Sequence, residues 1–124
     1  MKYPKGLAGK LDKAFSLFIR QRDRWRCQRC KRKYEAGKAK GLHCSHYMGR
    51  TNKATRWDPE NCDALCHGCH SYFEDRKQTA YRDWKIEKHG LSLVERVESK
   101  SREVVKYTNV QLTEMLEHIK SKLK

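Results

Sequence analysis

Apolar residues near the start of the chain recur at helical intervals. Leu11, Phe15, Phe18 and Trp25 are spaced by four, three and seven positions, and Ala14 and Ile19 widen the stripe. Lys10, Lys13, Arg20 and Arg24 take the other side. The pattern predicts an amphipathic helix over residues 10–25 with its aromatics in the core. Residues 1–8 before it read as a loose basic arm. The period then changes. Leu42–Tyr47 alternates enough for a short strand, and Asn61–Leu65 fits a return strand, with 49–59 as the connection. A single helix is expected to begin near Cys66 or Cys69 and run to about His89, where Gly90 stops it. Ser92-x2-Glu95 has the form of a capping box opening a short helix over 92–101, and Thr108-x2-Gln111 has the same form. Leu112, Met115, Leu116, Ile119 and Leu123 give the last helix an apolar stripe, suited to packing on the domain or on a partner helix. No internal repeat, low-complexity tract or Pro/Gly/Ser linker interrupts this order. The expected fold class is α+β in one domain: 1–25 as arm and helix, 26–89 as core, 90–124 as C-terminal helices.

Composition limits how such a domain holds together. Of 124 residues only 37% are hydrophobic, against 35% charged. A chain this small and polar has little core to spare and needs a staple. The cysteines supply one. Cys27-x2-Cys30 and Cys66-x2-Cys69 are two CxxC turns, each placing two thiolates near a common point, and two turns complete a closed tetrahedron. A structural zinc on these four is the expectation. A closed shell leaves no open position, so this ion should hold structure and not catalyse. A redox dithiol is the alternative, and a second CxxC pair able to complete the shell favours zinc over it. The N-terminus is not apolar and no long apolar run exists, which predicts no signal peptide, no membrane span and a reducing, cytoplasmic setting where CxxC favours zinc over disulfides. Cys44 and Cys62 are left over and read as small core fillers, with a lesser reading in which Cys44 joins a metal site.

Charge points to a partner. The formal net charge is +14, and residues 1–60 carry 17 of the 29 basic and 5 of the 15 acidic residues, a net of +12 that leaves +2 for the rest. A basic half built around a metal motif suggests a phosphate backbone, hence nucleic acid. The Arg20–Arg32 run is either a solvated face or a phosphate clamp, and the overall charge favours the clamp.

His43-Cys44-Ser45-His46, followed by Asn61-x3-Leu65-Cys66-x2-Cys69-His70, resembles the closing motif of the HNH (ββα-metal) endonucleases. The wider chain is similar to the lambdoid-phage NinG/Rap recombination proteins: Leu11–Asp23 before the first CxxC, Cys44-Ser-His-Tyr47, Ala54-Thr-Arg-Trp-Asp58, Tyr81-Arg82, Gly90 and the lead into a final basic helix. The resemblance implies a zinc-stapled ββα-metal core and a metal-dependent DNA endonuclease acting on branched recombination intermediates, such as Holliday junctions or D-loops. It implies His46 as general base, Asn61 as the orienting amide and His70 as a ligand of a catalytic Mg²⁺ or Mn²⁺, with Zn²⁺ also suited to imidazole. The residue before the base, where the pattern has Asp or His, is Ser45, a poor ligand. His43 is the expected substitute. Glu74, at i+4 from His70, is a candidate to complete the catalytic-ion site, and Asp63 is a weaker one. His67 and His89 read as ordinary residues. Arg50, Lys53 and Arg56 follow the base and are candidate contacts to DNA phosphates. Cutting two strands would need two sites, so a homodimer through the last helix is an expectation. The rival readings are a non-catalytic zinc-dependent DNA-binding module, a sequence-preferring HNH nuclease and, last, a zinc scaffold for protein partners.

Overall fold

The computed structural model describes residues 3–38, 40–75 and 78–124. Residues 1–2 of the expected arm, residue 39, and 76–77 of the expected long helix therefore lie outside the described residues. The elements are α1 (Leu7–Arg22), β1 (Leu42–His46), α2 (Lys53–Arg56), a 3-10 turn (Pro59–Asn61), β2 (Cys62–Cys66), α3 (His67–Asp75), α4 (Gln78–His89), α5 (Leu91–Ser101) and α6 (Asn109–Lys122). The fold is mixed α/β, mostly helical with a two-stranded sheet. None of the described helices is long and apolar enough to cross a membrane.

β1 and β2 pair antiparallel, with Leu42 opposite Cys66, Ser45 opposite Asp63 and His46 opposite Cys62. Side chains alternate across such a ladder, so the two faces can meet different partners. Cys44 and Cys62 join Leu11, Phe15 and Ile19 of α1 and Leu116 and Ile119 of α6 in one apolar cluster. On the other face Ser45 meets Tyr81 of α4, and Asp63 meets Lys85. All five residues of β2 are buried.

The first helix begins at Leu7 and ends at Arg22, short of Trp25, because its last residues are drawn to the sheet. Arg22 donates to the carbonyls of Pro59 and Cys62, both at 2.7 Å, and Asp23 accepts from the Ala64 amide at 2.8 Å. The Gln28 amide donates to the Ala64 carbonyl. This cover occupies the outer edge of β2, which would otherwise stand open. Arg24 and Trp25 then turn with φ of 59° and 56°. One arginine of the basic run is thus an internal brace.

The single helix expected from Cys66 or Cys69 to His89 is two helices. Phe73 and Tyr81 stack with ring centroids 4.4 Å apart at 11°. Eight residues of one straight helix would separate them by about 12 Å along its axis, so α4 must fold back over α3. The stacked pair seats α4 on the sheet through Tyr81. The expected loop at 49–59 also contains the short α2. Gly90 ends α4 as expected, but with φ of 93° it also stands at the N-cap of α5, which starts at Leu91. The capping box at Ser92 therefore does not form; the left-handed glycine sets the N-cap two residues earlier. At α6 the expected box does form, with Thr108 and Gln111 bonded reciprocally. α6 buries Leu116 and Ile119 on α1 of the same chain. Its stripe is used there, so the homodimer expectation gains nothing from this helix.

Candidate metal centre and cleft

The four CxxC cysteines converge. The sulfurs of Cys27, Cys30, Cys66 and Cys69 all lie within 4.8 Å of one another. Each turn is closed by its own amide: Cys30 N–H donates to Cys27 Sγ at 3.5 Å, and Cys69 N–H to Cys66 Sγ at 3.4 Å. Burial opposes ionisation of Cys27, yet the amides of Cys30 and its neighbours outweigh it and bring that thiol down to about 7. Burial and the neighbouring sulfurs push Cys69 up to about 12. One thiolate forms readily while Cys69 resists, which is the situation a divalent cation relieves. The donor set fits a structural zinc, and the four cysteines would tie the turn after α1 to the β2–α3 junction.

A cleft of about 350 Å³ is lined by Asp12 and Ser16 of α1, Cys44 and His46 of β1, Arg50, and His70 and Glu74 of α3. His46 ends β1. Its Nε2 lies 2.8 Å from the Arg56 carbonyl oxygen. A carbonyl only accepts, so Nε2 carries the proton and Nδ1 keeps its lone pair. Burial lowers this imidazole to about 4, against the pull of the carbonyl, so it is neutral at ordinary pH. Phe15 packs near its ring.

Asn61 is fully buried and acts on the loop after His46, not on the imidazole. Its Oδ1 accepts from the Met48 amide at 2.8 Å; its Nδ2 donates to the carbonyls of Met48 at 2.9 Å and Thr55 at 3.1 Å. The amide therefore joins the two ends of the connection that carries Arg50 and α2.

His43 and His70 meet head to head, Nδ1 to Nδ1 at 3.0 Å. The His70 Nε2 faces Glu74 at 3.2 Å. Glu74 therefore stands on the far nitrogen of His70, where an acceptor fixes the tautomer and leaves Nδ1 as the donor atom. Burial lowers the His43 pKa, reinforced by His70, and burial lowers that of His70, opposed by Glu74. Both rings favour the neutral form that binds metals. His43, His70 and Glu74 are not among the sets whose donor atoms all converge within 4.8 Å; among the described residues those sets are the four cysteines and Cys44–His46–Cys62. The expected three-ligand set is thus two imidazoles with Glu74 behind one of them, because the i+4 spacing brings Glu74 to Nε2 and not to Nδ1.

Ser45 is fully buried and its hydroxyl lies 2.7 Å from that of Tyr81, on the sheet face turned away from His46. Asp63 is equally buried, bonded to Lys85 Nζ and His89 Nε2 at 2.7 Å each. Through these two bonds it braces α4. His67 sits exposed with its ring edge-on to His43.

The three candidate phosphate contacts differ. Both Arg50 and Lys53 are exposed, but only Arg50 lines the cleft; Lys53 lies on α2 beside residues 101–106. Arg56 is turned inward: its Nε donates to Asp12 Oδ1 at 3.0 Å, and its guanidinium lies over the Trp57 ring. Asp12 also accepts from Trp57 Nε1 at 2.9 Å and pairs with Arg50 at 3.7 Å. Asp12 is a functional candidate that the sequence reading missed. The signal was present: Asp12 and Ser16 are polar residues on the same helical face as Leu11, Phe15 and Ile19, a face that is otherwise buried.

The family model described as Bacteriophage Lambda NinG protein matches the chain over residues 1–124. No curated protein and no solved structure matches it.

Proposed function

We propose that this chain, which belongs to the family of the bacteriophage lambda NinG protein, is a metal-dependent DNA endonuclease of the HNH type directed to branched recombination intermediates. The observation that carries the reading is His46: a neutral imidazole, its Nε2 proton held by the Arg56 carbonyl, its Nδ1 free, on the wall of a cleft beside the His43–His70 pair. The order β1, β2, α3 supports a ββα core, and the net +12 over residues 1–60 supports a phosphate partner.

The chemistry assigned to the residues is phosphodiester hydrolysis. His46 Nδ1 takes a proton from water, the oxygen attacks phosphorus, and the bond to the 3′ oxygen breaks with that oxygen leaving. The opposed Nδ1 atoms of His43 and His70 would hold a divalent cation, which when bound neutralises charge on the phosphate and the leaving oxygen. Two imidazole donors suit Mn²⁺ better than Mg²⁺. Arg50 at the cleft and Lys53 on the exposed side of α2 hold the backbone, and Asn61 fixes the loop that presents them.

A second reading, a DNA-binding module that does not cut, is favoured by one observation: Ser45 is buried against Tyr81 and offers the cleft nothing. The test is cleavage of labelled four-way junction, D-loop and linear duplex of matched sequence by the full chain in Mg²⁺ or Mn²⁺. Nicks concentrated at the branch are expected. Tight binding without cleavage in either metal would leave the module reading; preferred cutting of one short duplex sequence would replace branch selection.

A further inference from the structure

The zinc staple and the imidazole pair leave one group of donors unused. Cys44 and His46 are two residues apart on β1 and so share a face of the sheet. Cys62 lies directly across from His46 in the ladder, on that same face. The sulfurs of Cys44 and Cys62 and a ring nitrogen of His46 come within 4.8 Å of one another. Both cysteines are buried under α1, while Cys44 and His46 also reach the cleft. We propose that Cys44, Cys62 and His46 form a second metal site, for a soft divalent cation of the Zn²⁺ class, with its fourth position open to the cleft.

Ligand chemistry and charge favour that class. Two thiolates and a neutral imidazole select Zn²⁺ over Mg²⁺. Two thiolates also cancel the ion's charge, which suits a site walled on one side by Leu11, Phe15 and Ile19. Three protein ligands with one open position is the arrangement of accessible zinc sites, unlike the closed four-cysteine shell. His46 is already prepared as a ligand: its Nε2 proton is on the Arg56 carbonyl, so the lone pair a metal can take is that of Nδ1, and this outer bond makes it a better donor.

One consequence rests on the nuclease reading above. The lone pair that would bind this cation is the one that takes the proton from water. An ion here removes the base, so excess zinc switches cleavage off while the staple stays loaded.

The test separates binding from activity. The full chain is loaded with Co²⁺, and thiolate-to-cobalt absorption is followed on titration; this counts sulfur-bound metal and ignores the His43–His70 pair. Wild type should show two sulfur-bound equivalents, and Cys62→Ser and, separately, Cys44→Ser one each, with the four-thiolate spectrum retained as proof that the variants fold. A single equivalent in wild type, unchanged in both variants, overturns the site whatever the cleavage result. In parallel, junction cleavage in Mn²⁺ by wild type should fall at least tenfold as the second equivalent of Zn²⁺ binds and recover when a weak chelator strips it. Two equivalents bound with cleavage undiminished would keep the site and overturn the switch. Two equivalents bound to a chain that cuts no DNA in any metal would keep the site and overturn the nuclease.

Discussion

Asp12 of α1 and His46 of β1 are joined through one residue, Arg56: Asp12 grips its side chain, and His46 donates to its backbone carbonyl. The acid never touches the imidazole, yet it fixes the oxygen that sets the imidazole's tautomer. Asp12→Asn should therefore lower kcat about 10- to 100-fold, the usual cost of losing an outer support. DNA affinity should change little, since Asp12 faces inward. Single-turnover rates beside equilibrium binding check this, and an equal loss in both would make Asp12 part of the DNA surface.

The staple predicts that folding depends on metal. Cys30 is exposed, so Cys30→Ser removes almost no packing and its cost reports the ion. The variant, or wild type with a strong chelator, should lose ~10 °C or more in Tm, or unfold without a cooperative transition. A Tm unmoved by both would mean the four sulfurs hold nothing.

Burial of His46 makes stability depend on pH in a definite direction. Its folded pKa of about 4 lies below the ordinary value of 6.5. Below pH 6.5 the unfolded chain takes up the proton first, so the contribution is complete above 6.5 and is lost as pH falls to about 4, up to about 3 kcal/mol. The stability difference between wild type and His46→Gln should shrink over that window; comparing the pair cancels acid loss of zinc. For the same reason cleavage should show no acid limb near pH 6.5. A pH-independent difference would contradict the burial argument.

Arg50 and Lys53 should behave unlike Arg56. Loss of either exposed cation should weaken DNA binding regardless of sequence and lower the salt slope by about one. Arg56→Ala should instead cost stability and cleavage, because it removes the nearest charge partner of the buried Asp12. Affinity measured across a salt series, beside urea unfolding, distinguishes the two classes.

What the sequence made legible was local. Two CxxC spacings placed four sulfurs, period-2 segments placed both strands, and Thr108 with Gln111 fixed the start of α6. What it hid depends on tertiary packing, strand register and backbone conformation. The fold-back of α4 is set by Phe73 on Tyr81, against a pattern that reads as one continuous helix. Gly90 displaced the Ser92 cap because a left-handed backbone needs glycine and no side-chain bond. The i+4 spacing brought Glu74 to His70 correctly, but which ring nitrogen it meets is decided by His43 on the sheet. Cys44, His46 and Cys62 looked unrelated until the strand register set Cys62 opposite His46.

The proposed role of His46 as base of a DNA-cutting cleft can be tested in one experiment. The most direct measurement is single-turnover cleavage of a labelled four-way junction in Mn²⁺ by wild type and His46→Ala, with junction affinity measured on the same samples. The expected result is cleavage by wild type and a loss of about 10²- to 10⁴-fold in the variant, with affinity within a few-fold. Equal cleavage by both proteins, or wild type that binds the junction and cuts nothing in any divalent metal, would contradict it.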